Sequence, residues 1–446
     1  MESIKSWLEH RKTDEKSSLI LLLKGYFFLI VACFLLLLLP ICQSTSNTLV
    51  DHLLFAVSIV STTGLAPANF GESYNFLGQL ISLLFIQLGG IGYMALSTFI
   101  IFRQFDKLPS LPARLLRLEF NLPKRYPLIS FIYSVFVFTI LIESIGAVVL
   151  YFGFSELEVE YPVWQSIFHS ISAFCTAGFS LYGDSMTSFQ DNNVITTTIL
   201  ILSLLGSIGF IVLFDFWLRI TRQRKKITLT SKIILLSTFI LWILGAVMLY
   251  FSDMDLWSRG LEGFKLSVFQ SISAHTTVGF NNYDIGSINT AGIFILLILM
   301  SVGASPAGTG GGIKTTSITA LMAVLKAVLK RKKHITFLKK EIPSHNIYMA
   351  VSSLIFYSFI LIIGTWSILL VEGDKFVFES IVFEVSSALS TVGLSVGITG
   401  ELSDISKIII SFMMFIGRLG VLTFGFVLIT EAPLMRNKPE IEDIAI

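Results

Sequence analysis

Charge is scarce in this chain. Asp, Glu, Lys and Arg make up 14% of its 446 residues, against about a quarter in a soluble domain. With a mean hydropathy of +0.79, a water-soluble globule is excluded. Cysteine is limited to Cys33, Cys42 and Cys175, two of them within or beside apolar runs, so no disulfide framework is implied. His169 and His275 have no partners at metal-ligand spacing. No nucleophile, base and orienting group form a recognisable constellation. The stretch 308–315 has Ile313 where a phosphate-binding GxxxxGK(S/T) loop needs glycine before Lys314. The chain is therefore not read as an enzyme. A cleavable signal peptide is not expected either, because the first apolar run follows a charged head, 1–16, and no small-residue cleavage site stands out after it.

Long apolar runs are plentiful. Stretches 17–40, 75–101, 127–152, 193–218, 229–251, 289–324, 347–371 and 405–429 each exceed the roughly 20 residues that cross a bilayer as a helix. Basic residues concentrate at 103–125, 219–232 and 326–340, whereas the alternate loops carry Glu156, Glu158, Glu160, Asp253, Asp255, Glu262, Glu372 and Asp374. The positive-inside rule places the basic loops and both termini, including the 432–446 tail, in the cytoplasm. That bias accounts for the basic loops without nucleic acid.

One octapeptide, Ser-x-x-(Ser/Cys/Thr)-Thr-(Thr/Ala/Val)-Gly-(Leu/Phe), recurs at 58–65, 172–179, 273–280 and 387–394. Its glycines, Gly64, Gly178, Gly279 and Gly393, recur at a period of roughly a hundred residues or slightly more, the scale of an internal repeat. A short amphiphilic segment precedes each copy, such as 49–61 or 376–390, too short to cross and read as a re-entrant helix. A second glycine motif follows each copy at a near-constant offset, beginning at Gly89, Gly206, Gly303 and Gly417. Alone these glycines would signify close helix packing; their regular offset signifies duplication. The pattern predicts an all-α membrane protein of four M1-P-M2 repeats in pseudo-fourfold arrangement, with eight transmembrane helices and four re-entrant pore helices. The repeats are expected at 17–125, 126–226, 227–340 and 341–431.

Irregular backbone at membrane depth must be buried in protein or line a watery path. In Thr62-Thr63-Gly64, Thr176-Ala177-Gly178, Thr277-Val278-Gly279 and Thr391-Val392-Gly393, backbone carbonyls and threonine hydroxyls can replace the hydration shell of a cation. No carboxylate lies within any octapeptide, which argues against a divalent-ion site. Thr391-Val392-Gly393 looks like the start of the TVGYG potassium filter, and the whole of 17–429 resembles the Trk/Ktr/HKT potassium transporter superfamily, most of all its bacterial Ktr-type membrane subunits. That resemblance implies potassium selectivity at the four glycines. It also implies a homodimer with one pore per subunit, seated on a cytoplasmic octameric RCK-type ring that carries the nucleotide. Sodium would act as a possible activator, and the location would be a bacterial plasma membrane. Thr176 stands where many members have Asn, so the shape of that quarter is the least constrained. The alternatives are a sodium-permeable protein and an alternating-access potassium/sodium cotransporter. The latter requires inverted repeats with corresponding broken helices, whereas here only the third repeat reads as interrupted.

That interruption is 301–314, where Gly303, Pro306, Gly308, Gly310, Gly311 and Gly312 disfavour helix. It reads as a kink, a linker or, more sharply, a mobile gate beneath the filter, and the resemblance implies an intramembrane loop there. Lys314 either contacts that loop or snorkels to the inner surface. Arg418, deep in the last span, either sits under the filter and bonds loop carbonyls, or pairs with a buried carboxylate such as Glu384 or Glu143. The resemblance implies an arginine at this place. Glu143 and Asp215 read as bundle partners, and Glu384 as a brace for its short helix.

Overall fold

The computed structural model describes residues 2–105, 110–120, 122, 126–332 and 334–428; the predicted tail 432–446 lies outside them, as does part of the 103–125 basic loop. The chain is predominantly helical. Among the described residues, Leu19–Leu37, Leu128–Glu156, Leu229–Ser252 and Ser344–Lys375 are each long and apolar enough to cross a membrane. Their outer faces suit lipid: Phe27, Phe28, Ile140, Phe152 and Phe239 are all more than half exposed. Their inner faces carry small residues where the next element crosses closely. Gly146 and Gly245 admit the Ser170 and Ser271 hydroxyls of the short helices that follow, and these donate to the Glu143 carbonyl (2.7 Å) and the Trp242 carbonyl (3.0 Å).

Each long helix is followed by a short buried one: Leu49–Ser61, Pro162–Phe174, Leu261–Thr276 and Phe378–Leu389. Local signals set their starts. Thr48 and Asp51 form a reciprocal capping box on the first, and Pro162 opens the second at a position that needs no N–H. The helices leading away from the octapeptides are likewise capped in all four units, by Asn75, Asn192, Asn289 and Ser403.

The expectation that only the third unit is interrupted is corrected here, because all four outgoing segments break at the second glycine motif. Phe76–Ile91 gives way to Tyr93–Phe105 at Gly92. Asn193–Ser207 and Phe210–Ile220 meet at 90°, and Asp404–Leu419 and Val421–Val427 at 96°. Gly92, Gly209 and Gly420 sit at φ of +90°, +87° and +85°, which halts helix propagation where a hydropathy window sees one apolar run. In the third unit the break opens into a loop between Thr290–Ser301 and Thr315–Leu329.

The first and fourth units meet at the Lys407 ammonium and the Asp51 carboxylate, 2.7 Å apart with side chains 9% and 14% exposed. Removing one partner strands a largely buried charge. Lys407→Met is therefore expected to cost about 3 kcal/mol, read as a lower thermal midpoint in detergent, and Asp51→Asn in the same protein, which keeps an acceptor for the Thr48 cap, should recover most of it.

Candidate functional site

Each octapeptide is the C-terminal exit of a short helix. In the first, the Thr62 N–H reaches the Ile59 carbonyl and the Thr63 N–H the Ser58 carbonyl, with Thr62 left-handed at φ +51°. This is a Schellman ending. Its long bond recurs as Ala177 to Ser172 (2.8 Å), Val278 to Ser273 (3.2 Å) and Val392 to Ser387 (2.9 Å). Thr176, Thr277 and Thr391 occupy the same left-handed position, at φ of +50°, +59° and +50°. Threonine there carries backbone strain that glycine would avoid, in exchange for a hydroxyl at the helix mouth. The leading serines secure the turn: the Ser58 and Ser387 hydroxyls accept the Gly64 and Gly393 N–H groups at 3.0 and 3.1 Å. Ser172 donates to the Phe179 carbonyl at 2.8 Å and Ser273 to that of Phe280 at 2.5 Å.

The four exits close into a ring. A Cβ placed on Gly64 would strike the Ala177 carbonyl beside Gly178; on Gly178, the Val278 carbonyl beside Gly279; on Gly279, the Val392 carbonyl beside Gly393; and on Gly393, the Thr63 carbonyl beside Gly64. One directed contact repeated four times and returning to its start is the signature of a rotation. All four glycines have positive φ, from +66° to +95°, so both backbone angle and close approach require glycine. Above the ring lies a cavity of about 300 Å³ with Gly64, Gly178, Gly279 and Gly393 on its wall. The helix endings direct carbonyl dipoles toward the ring, each helix equivalent to about half a negative charge.

The second glycine motif explains how the ring is held. Gly89, Gly206 and Gly417 press against the carbonyls of Val60, Phe174 and Leu389, the same position in three short helices. Gly303 instead faces the Gly311 carbonyl, because the third unit folds its loop back against itself (Ala304 N–H to Gly311 carbonyl, 3.1 Å).

That loop lies under the threonines. Thr309 meets the Thr176 hydroxyl at 2.9 Å; Gly310 abuts the Thr277 hydroxyl and Gly311 that of Thr391. Arg418 covers the remaining quarter by donating to the Thr62 hydroxyl at 2.8 Å. The same guanidinium donates to the Thr309 and Gly89 carbonyls, tying the loop to the first unit. Lys314 donates to the Gly310 carbonyl at 2.8 Å, so its loop contact is present. Pro306 precedes Ala307, whose carbonyl accepts the Phe210 N–H (2.9 Å), and Gly308 donates to Ser305 (3.1 Å). The hydroxyls of Thr277 and Thr391 are buried and have no hydrogen-bond partner among the described residues, which suits oxygens that coordinate a passing cation.

The other singled-out residues lie elsewhere. Glu143 accepts from Gln87 (3.0 Å), and Asp215 takes Tyr126, Arg224, Thr228 and Ser231. Glu384 takes Thr399 (2.9 Å) and Ser395. The hydrogen bonds of Arg418 go to Thr62, Thr309 and Gly89 instead. Among the described residues no cluster of three His, Cys, Asp or Glu forms a metal site. Thr309 was missed by sequence reasoning; a hydroxyl amid glycines was its only signal. Tyr357, which meets Ser390 behind the fourth exit at 2.7 Å, gave no signal, being remote in sequence.

The model of a family described as "TrkH: Cation transport protein" matches residues 5–435. The chain belongs to that family. It is similar to the Ktr system potassium uptake protein B of Bacillus subtilis, 33% identical over 401 residues that cover 87% of each chain. The protein of the same name from Vibrio alginolyticus is 29% identical, covering 90% of this chain and 89% of its own length. The potassium/sodium uptake protein NtpJ of Enterococcus hirae is 32% identical over 87% of both. In fold, this TrkH-family chain is similar to the crystal structure of the potassium transporter TrkH from Vibrio parahaemolyticus, with a TM-score of 0.73 and 18% identity over 93% of this chain and 85% of that one.

Proposed function

We propose that this chain is a potassium-selective uptake pore of a Ktr-type system. The observation that carries the reading is the ring in which each glycine abuts the carbonyl preceding the next. In this reading the repeats 17–125, 126–226, 227–340 and 341–431 are four M1-P-M2 units. They supply eight spans, each outgoing span broken, and four re-entrant helices. The filter is Thr62, Thr63, Gly64, Thr176, Ala177, Gly178, Thr277, Val278, Gly279, Thr391, Val392 and Gly393. Potassium is the cargo and no cofactor is held. The gate is the 301–314 loop with Gly303, Pro306, Gly308, Gly310, Gly311, Gly312 and Lys314, clamped by Arg418. Family resemblance supports a homodimer in a bacterial plasma membrane with both termini cytoplasmic, controlled by a nucleotide-binding RCK-type ring, with sodium as activator.

The breaks in all four outgoing helices supply the discontinuity an alternating-access cotransporter needs. The rotational closure of the ring favours a common axis over inverted repeats. Growth of a potassium-uptake-deficient bacterium at low potassium tests the function. Expression together with an RCK-type ring subunit should restore growth, and expression without it should restore less. Failure to restore growth by protein verified in the membrane contradicts the proposal.

A further inference from the structure

The residue three before each octapeptide is Phe55, His169, Gln270 or Glu384, and each is at most 1% exposed. The last three do one job. His169 spends its Nδ1 proton on the Gln165 carbonyl (2.8 Å), and its Nε2 accepts the Leu181 N–H (3.4 Å). Gln270, with its amide and that of Asn282 both turned so that oxygen faces nitrogen, accepts the Asn282 N–H (3.0 Å) and the Tyr283 N–H (3.3 Å). Glu384 accepts the Ser395 and Thr399 hydroxyls, with the Val396 N–H close to its carboxylate. Leu181, Asn282 and Val396 are each the third residue after a ring glycine. In the first unit that third residue is Pro67, which has no N–H to give, and the residue at the matching helix position is Phe55, which has no acceptor. Its ring packs on Tyr74 (5.2 Å) and Phe70 (6.0 Å) instead. Donor and acceptor are thus present together in the second, third and fourth units and absent together in the first.

We infer that His169, Gln270 and Glu384 are positioning residues for ion selection, each holding the segment that follows a ring glycine so that the ring cannot contract toward the smaller sodium ion. The first quarter is held by aromatic packing. The inference rests on the potassium-pore reading and names further residues that set its specificity. Ser180, Asn281, Ser395 and Thr399, on the held segments, line the outer cavity, so a slack segment would displace the cavity wall.

The test is the ratio of potassium to sodium entry into proteoliposomes containing the full chain. Gln270→Met keeps shape and loses the acceptor, Glu384→Leu removes it, and Glu384→Gln retains an oxygen for the Val396 N–H. The ratio is expected to fall about tenfold, or about 1.4 kcal/mol, in the first two and to stay within about twofold of wild type in the third. An unchanged ratio in Gln270→Met and Glu384→Leu overturns the inference while wild-type potassium preference leaves the pore reading standing. Wild-type protein without potassium preference overturns both. His169→Leu substitutes for a variant that does not reach the membrane. Loss of folded protein in all three acceptor-less variants assigns the position to folding and also overturns the inference.

Discussion

Deleting Gly308 to Gly312 raises potassium flux, and Arg418→Gln raises it in the intact loop. The expectation follows from what lies beneath the four threonines. Thr309, Gly310 and Gly311 cover Thr176, Thr277 and Thr391, and Arg418 covers Thr62, so a cation leaving the ring meets protein on every side. Two terms oppose its passage, the steric body of the loop and the positive charge of the guanidinium. A unit charge about 8 Å from the ion in an effective dielectric of about 20 costs about 2 kcal/mol, about thirtyfold in rate. Arg418 also ties the loop to the Gly89 carbonyl, so Arg418→Gln loosens the cover while lowering the charge barrier. Flux assayed without any regulatory ring should rise at least about tenfold in either variant. Unchanged or lost flux in folded protein would count against the gate.

The second large effect is on selectivity. Gly64→Ser and Gly279→Ser should each lower potassium preference over sodium by about tenfold or more, about 1.4 kcal/mol. At both positions a Cβ would collide with the neighbouring quarter's carbonyl, that of Ala177 or Val392. At both, φ is positive, +95° and +77°, so a side chain adds backbone strain of about 1 kcal/mol or more. The carbonyls the ion sees must move to accommodate it. Because each glycine presses on the next quarter, the disturbance is not confined to one. Full rescue of growth by both variants with unchanged ion preference would remove the ring from selectivity.

Much of this arrangement was legible because it is local and repeated. The octapeptide encodes a Schellman exit, a hydroxyl and a glycine in consecutive positions, and four copies fix its meaning where one would be weak. Gly89, Gly206 and Gly417 also declared themselves, through their offset, although not what they touch. The breaks at Gly92, Gly209 and Gly420 were hidden, since a glycine in an apolar run reads the same whether it packs or turns. Only backbone angles separate the two. The third unit reads as interrupted because four glycines beyond Gly303, together with Pro306, overwhelm the run. Contacts between distant segments stayed invisible: Arg418 with Thr309 and Gly89, Lys407 with Asp51, and Tyr357 with Ser390. The pairing of His169, Gln270 and Glu384 with the segments beyond each ring glycine lay within a dozen or so residues, yet their differing side chains concealed a shared position. Only the common acceptor role reveals it, and the first unit, with Phe55 and Pro67 at the matching positions, supplies the counter-case.

The most direct test of the central claim is cation entry into proteoliposomes at an imposed inside-negative potential, with potassium and sodium measured in parallel for wild type and Gly64→Ser. A pore of this kind gives potassium entry that grows with the potential, which supplies about 2.3 kcal/mol per charge per 100 mV. Wild type should favour potassium over sodium by more than about tenfold and Gly64→Ser by markedly less. Equal entry of the two ions into wild-type vesicles, or potassium entry indifferent to the potential, would contradict it.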